Sequence, residues 1–249
     1  MSVSAIKKRL KQYSNKKKIP VLQRFFKTGP GEYAQGDIFI GVMVPYARKV
    51  VKEFKDIGLK YLPKLLRSPI HEERLTALLI LVYKFKSADD TGKKKIYRLY
   101  MKNSAFVNNW DLVDLTAHHI IGGFLNDKDK RALYELAKSK NLWERRLAVI
   151  ATFYYIRNND FEETLRLSGM LMGDKEDLIH KAVGWMLREV GKRDVKTLEG
   201  FLSVHCENMP RTMLRYAIEK FPEPKRKAYL SKKMMKHADR HAIISAREK

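Results

Sequence analysis

Glu72-Glu73-Arg74-Leu75, Asn109-Trp110-Asp111-Leu112, Arg145-Arg146-Leu147-Ala148 and His180-Lys181-Ala182-Val183 fall into register when set one above another. Arg74, Trp110, Arg146 and Lys181 then share a column, at intervals of 36, 36 and 35 residues (110−74, 146−110 and 181−146). A fifth copy, Pro210-Arg211-Thr212-Met213-Leu214, follows at a slightly shorter interval. A period in the mid-thirties built from helix pairs indicates a helical solenoid of the HEAT or TPR type. The small-residue pattern of TPR motifs is missing, so the reading is HEAT-like. No segment shows sustained period-two alternation of β-branched residues, and no sheet is expected. The predicted fold class is all-α, a curved array of helical repeats.

In such an array, equivalent positions of successive second helices line the inner face. Arg74, Arg146 and Lys181, with Trp110 among them, are therefore expected on a basic concave face with aromatic content. The domain reading is a single repeat domain over residues 1–224, followed by a basic, partly disordered tail over 225–249.

Charge agrees with that face. The 249 residues carry 51 Lys+Arg against 28 Asp+Glu, a formal net charge of +23. That excess is beyond what solubility requires, and it concentrates polyanions, of which nucleic acid is the commonest. An anionic membrane is the competing partner. The longest apolar run in the core pattern, from Leu75 to Tyr83 with Thr76 inside it, is too short to span a bilayer. No apolar stretch follows the early lysines, so no signal peptide is expected. The single cysteine, Cys206, excludes internal disulfides and cysteine-rich metal sites, and a cytoplasmic location is the expectation.

The first 18 residues hold seven basic side chains (Lys7, Lys8, Arg9, Lys11, Lys16, Lys17 and Lys18) and no acid. They read either as an amphipathic helix that touches the partner or as a solvated terminus. Residues 28–37 form a Gly/Pro-punctuated loop, and Val44-Pro45 starts a helix. Ser68-Pro69, Asn141 with Glu144, and Asp174 with Asp177 read as helix N-termini.

At about 100° per residue, helical geometry sorts core aromatics from exposed ones. Around residue 185 the apolar stripe is Ile179, Val183, Met186, Leu187 and Val190. Trp185 lies about 200° from Val183, facing away from that stripe. Lys181 and Arg188 flank it at i−4 and i+3. Packing against a neighbouring helix pair is the alternative to a contact surface. Trp143, by contrast, falls inside the stripe of Leu147, Ile150, Ala151 and Tyr154 and is predicted core. Arg146 sits roughly 100° off that stripe and is expected to face the groove. Trp110, Asp114 and His118 line one edge of their helix, while Asp111 points elsewhere and reads as first-turn dipole compensation. Trp110 as a boundary residue and Asp114 as a local ion-pair partner stay open on geometry alone. His118-His119 could suggest a metal, but adjacent helical histidines diverge by about 100° and lack partners at ligand spacing. No metal site is expected.

Three segments carry a resemblance: Asn109-Trp110-Asp111-Leu112-Val113-Asp114, Trp143-Glu144-Arg145-Arg146, and Lys181-Ala182-Val183-Gly184-Trp185-Met186-Leu187-Arg188-Glu189. In this order and at this spacing the sequence resembles the DNA alkylation repair family of AlkD-like glycosylases over most of its length. The resemblance implies a C-shaped HEAT-like solenoid that cradles duplex DNA in its concave face. It also implies hydrolysis of the N-glycosidic bond of cationic N3- or N7-alkylated purines, by a monomer without metal or cofactor. The family's functional positions fall on Trp110, Asp114, Arg146 and Trp185. Lys181, Arg188, Arg74 and Arg145 are expected to contact the DNA. Residues 27–41 look like those of a sister branch, and the family also contains members resembling DNA binders that lack the catalytic set. A non-catalytic duplex-binding protein is thus the first alternative. A protein–protein scaffold leaves the charge unexplained, and RNA-stacking modules show sheet signatures absent here.

Overall fold

The computed structural model describes residues 1–231, which divide into two compact units, one from Met1 to Asp129 and one from Lys130 onward. Both are helical. The described residues contain no strand, and one isolated parallel bridge joins Ile38 to Ile70.

In the first unit α1 (Val3–Gln12) is capped by Ser2, whose hydroxyl accepts from the Ala5 N–H. It buries Val3, Ile6 and Leu10. Of the two readings of the basic N-terminus, neither anticipates how firmly α1 is docked: Lys7 pairs with Glu73 at 2.7 Å and Arg9 with Glu53 at 2.8 Å. A short 3₁₀ turn, Lys16–Lys18, leads into α2 (Ile19–Phe26). The expected loop follows, and α3 (Val44–Glu53) begins with Pro45 in its first turn. Next come α4 (Leu62–Leu66), α5 (His71–Ser87), α6 (Asp90–Lys102) and α7 (Trp110–Asp114). A π turn, His118–Gly122, and α8 (Gly123–Leu125) close the unit. Helix α5 is its centre. It is apolar on every side from Leu75 to Val82 and packs on α1, α3, α4 and α6, as an all-round hydrophobic helix must.

The second unit contains α9 (Arg131–Ala137), α10 (Leu142–Ala151), α11 (Phe153–Arg157), α12 (Glu162–Met170), α13 (Asp177–Gly191), α14 (Val195–His205) and α15 (Arg211–Ala217). Here α13 is the centre, touching α10, α12, α14 and α15. Its stripe of Ile179, Val183, Met186, Leu187 and Val190 is wholly buried, as expected, and Trp143 on α10 is buried too. Residues 223–231 are helical; the rest of the basic tail, 232–249, lies outside the described residues.

Helices α5, α7, α10, α13 and α15 start at His71, Trp110, Leu142, Asp177 and Arg211, so successive starts are 39, 32, 35 and 34 residues apart. The mid-thirties repeat is real, but its column shifts by one residue. The fourth residues of α5, α10 and α13 are Arg74, Arg145 and His180, and each donates to a carbonyl six residues earlier. Arg74 reaches Ser68 at 3.0 Å, Arg145 reaches Ser139 at 3.0 Å, and His180 reaches Asp174 at 2.6 Å. The loop before each second helix has carbonyls that no helix satisfies, and a long donor one turn inside the helix covers them. Arg145 and His180, not Arg146 and Lys181, are the partners of Arg74 in the repeat.

Asn141 caps α10 as expected, accepting from the Trp143 N–H at 2.8 Å. The starts read at Ser68 and Asp174 fall later, after Ile70 and Glu176, because Ser68 and Asp174 order the preceding turn by accepting from those two N–H groups.

Candidate active site and nucleic-acid interface

Trp110 opens α7 and Asp114 closes it, so the two share one face at i, i+4, and both are half-buried. Asn109 caps the helix through the Trp110 N–H at 2.8 Å. The Trp110 indole lies against an aromatic bed. Phe26 stacks beneath it (centroids 5.2 Å, planes 22° apart), and Phe25, itself 61% exposed, meets it edge-on at 5.6 Å. Phe26 in turn contacts His71 and stacks on Phe39. Burial first, and then the nearby Asp114 charge, push the pKa of the Tyr100 phenol up, keeping it protonated; its hydroxyl is bonded to Thr116 at 2.7 Å.

Beneath Trp110 runs a buried polar network that sequence reasoning missed. His71 bonds Asp37 through Nδ1 (3.2 Å) and Asp111 through Nε2 (2.9 Å). Asp37 also receives Arg74 at 2.6 Å and the Asn109 amide at 3.3 Å. Burial opposes the imidazolium charge, but Asp111 and Asp37 outweigh it and the His71 pKa is pushed up to about 9. Burial likewise opposes the Asp37 charge, yet His71 and Arg74 hold that carboxyl below its ordinary value. Asp111, read as dipole compensation, is a buried partner of His71. Both residues flanking Trp110 are therefore tied to one network. Nearby, the Glu72 carboxylate accepts from the N–H groups of Ile40, Gly41 and Val42, pinning the loop before α3.

In the second unit Trp185 is half-buried on α13. Its indole N–H donates to Glu189 at 3.2 Å and its ring lies 6.0 Å from Phe153. Glu189 also takes Lys192 at 2.7 Å. Of the flanking cations, Lys181 pairs with Asp177 at 2.8 Å, and Arg188 pairs with Glu219. Lys181 holds the Asp177 carboxyl below its ordinary value.

Two arginine expectations are corrected, and a third arginine proves to be held by its own unit. Arg74 is 3% exposed and spends its guanidinium on Asp37, Ser68 and Pro69. Arg146, expected in the groove, is 5% exposed and donates to the Leu178 carbonyl. The direction 100° off the α10 stripe points at the start of α13, not at solvent. Arg145 stays partly exposed but is held by Asp174 at 2.6 Å and by the carbonyls of Ser139 and Lys140. His118 and His119 also depart from expectation, because the π turn widens the helix and sets their rings 3.9 Å apart.

Trp110 and Asp114 belong to the first unit, Arg146 and Trp185 to the second. The missed residues (Asp37, His71, Phe25 and Phe26) lie in loops or at helix ends, where no periodicity marks them. A histidine followed by two acids at the head of an apolar helix, His71-Glu72-Glu73, was the one visible signal.

Comparison with known proteins follows the same lines. No curated protein sequence matches. A predicted DNA alkylation repair enzyme from Enterococcus faecalis superposes with a TM-score of 0.63 at 15% identity, over 84% of this chain and 97% of that one. AlkD2 from Streptococcus mutans gives a TM-score of 0.51 at 19% identity, over 84% of this chain and 99% of its own. At such identities these likenesses establish the all-helical fold. The family model described as DNA alkylation repair enzyme matches residues 6–221, and on that match the chain belongs to the DNA alkylation repair enzyme family.

Proposed function

We propose that this protein is a DNA glycosylase that hydrolyses the N-glycosidic bond of cationic N3- or N7-alkylated purines in duplex DNA. The observation that carries the reading is the pairing of half-buried Trp110 and Asp114 on one face of α7, in a family member of charge +23. A purine alkylated at N3 or N7 leaves as a neutral base, so no strong general acid and no Lewis acid is required to expel it. What needs stabilising is an oxocarbenium-like sugar and the approach of water. The Asp114 carboxylate suits both tasks, facing the developing cation and orienting or deprotonating the water. The Trp110 face adds cation–π attraction and excludes loose solvent. In the second unit, Trp185, steadied by Glu189, is the indole to which the resemblance gives a functional role. The substrates that follow are charged lesions; neutral damaged bases are poor ones.

The test is release of 3- and 7-methylpurine from methylated duplex DNA by wild type and Asp114→Asn. Wild type is expected to release base above buffer, with the variant slower by about two orders of magnitude or more. Equal release by both removes Asp114 from the chemistry. No release by wild type favours the second reading, a non-catalytic duplex binder. One observation favours that alternative: Arg146, the expected phosphate clamp, is buried against the Leu178 carbonyl.

A further inference from the structure

In the first unit, residues 12–18 and 41–46 border an open cleft of about 1010 Å³, walled by Tyr13, Tyr46 and the three lysines Lys16, Lys17 and Lys18. All three lysines are exposed, and among the described residues no acidic side chain pairs with them. No acid occurs before Glu32, and none lines the cleft.

The turn bearing these cations is held in place. Asn15 caps it, accepting from the Lys17 N–H through its side chain (3.0 Å) and from the Lys18 N–H through its carbonyl (2.9 Å). The Asn15 N–H donates to the Gly41 carbonyl at 3.3 Å, and the Ser14 hydroxyl donates to the Ile40 carbonyl. Gly41 has φ +80°, and a Cβ there would stand 2.2 Å from the Asn15 oxygen, so only glycine permits this approach. The wall is equally fixed: Tyr13 and Tyr46 stack at 5.0 Å, with Arg9 over one ring and Lys49 over the other. Three exposed ammonium groups on a pinned backbone beside a rigid aromatic wall suit a row of oxyanions.

The position of the cleft specifies the ligand. Lys18 is the cap of α2, and the far end of α2 carries Phe25 and Phe26 against Trp110. Seven residues of helix rise about 10.5 Å, so a duplex rising about 3.4 Å per base pair along its axis would reach the cleft within a few nucleotides of the Trp110 face. We propose that the cleft is a second phosphodiester-backbone site, gripping the same duplex a few nucleotides from the nucleotide that faces Trp110. This rests on the DNA-substrate reading above, but not on catalysis.

The test compares wild type with Lys16→Gln/Lys17→Gln/Lys18→Gln and with a charge-matched control on α6, Lys93→Gln/Lys94→Gln/Lys95→Gln. Binding of a duplex with one tetrahydrofuran abasic site is measured against salt. The cleft variant is expected to bind at least tenfold more weakly at moderate salt, with the slope of log K against log salt flattened by about 2 to 3. The control is expected to flatten it by less than about 1. With single neutral methylphosphonates placed in turn at the phosphates neighbouring the abasic site, one position should weaken wild type and leave the cleft variant unaffected. An unchanged slope in the cleft variant, or an equal loss in the control, overturns the proposal. Absence of base release by wild type would sink the glycosylase reading and leave this binding result standing.

Discussion

Arg74 and Arg146 show what burial does to a residue that reads as a DNA contact. Each guanidinium is committed inside its own unit, so removing it leaves interior oxygens without donors. For Arg74→Ala the loss also strands the Asp37 carboxylate beside His71. Breaking a buried ion pair from one side costs about 3–5 kcal/mol. Chemical denaturation of Arg74→Ala should show a loss of that order, and Arg146→Ala a smaller one, about 1–3 kcal/mol, for its carbonyl bond. Neither variant, once folded, should alter the salt dependence of DNA binding. A flattened slope with unchanged stability would restore either residue to the contact surface. Angular reasoning separated Trp143 from Trp185 correctly because their apolar stripes have one side each. It failed for Arg146 because α10 is packed by α9 and by α13, so a direction off one stripe is still interior.

At the scale of elements, α13 against α15 is the most extensive helix pairing among the described residues of the second unit. Gly184 permits it: a Cβ there would lie 2.5 Å from the Met213 carbonyl oxygen and 2.5 Å from the Tyr216 Cβ. Gly184→Ala must therefore push α15 outward despite its better helix propensity. The expected cost is about 1–3 kcal/mol, read as a lower melting temperature. A neutral or stabilising result would mean that the pair tolerates a wider gap. The glycine was legible in the sequence only as a member of the Lys181–Glu189 motif. Its reason lies in a helix that begins 27 residues later, at Arg211. The repeat itself was legible, since helix starts recur with the period of the pattern. The column was read one residue late because adjacent Arg145 and Arg146 are equivalent as letters. Only the loop carbonyls distinguish them.

At the scale of the molecule, pH should act on stability through the buried network of the first unit. The His71 pKa rises from 6.5 to about 9 on folding, so its contribution is complete below about pH 6.5 and is lost as pH climbs through 9. Asp37 is depressed from 3.8, so its contribution is present above that value and is lost as pH falls through the lower folded value. The stability difference between wild type and His71→Gln should hold steady from about pH 4 to 6.5. It should then shrink by roughly 3 kcal/mol toward pH 9. A difference that stays flat across the alkaline range would mean that His71 is neutral when folded. Composition and periodicity alone determined that this chain is helical, repetitive and strongly basic, and which apolar stripe of α13 is buried, because charge and hydrophobic spacing are local properties of a helix. Tertiary structure decided which of its cations are available to a polyanion. Arg74 meets Asp37, Arg145 meets Asp174 and Arg146 meets Leu178 across 37, 29 and 32 residues. Pairings at such separations follow from how loops fold back on helices, which no local pattern encodes.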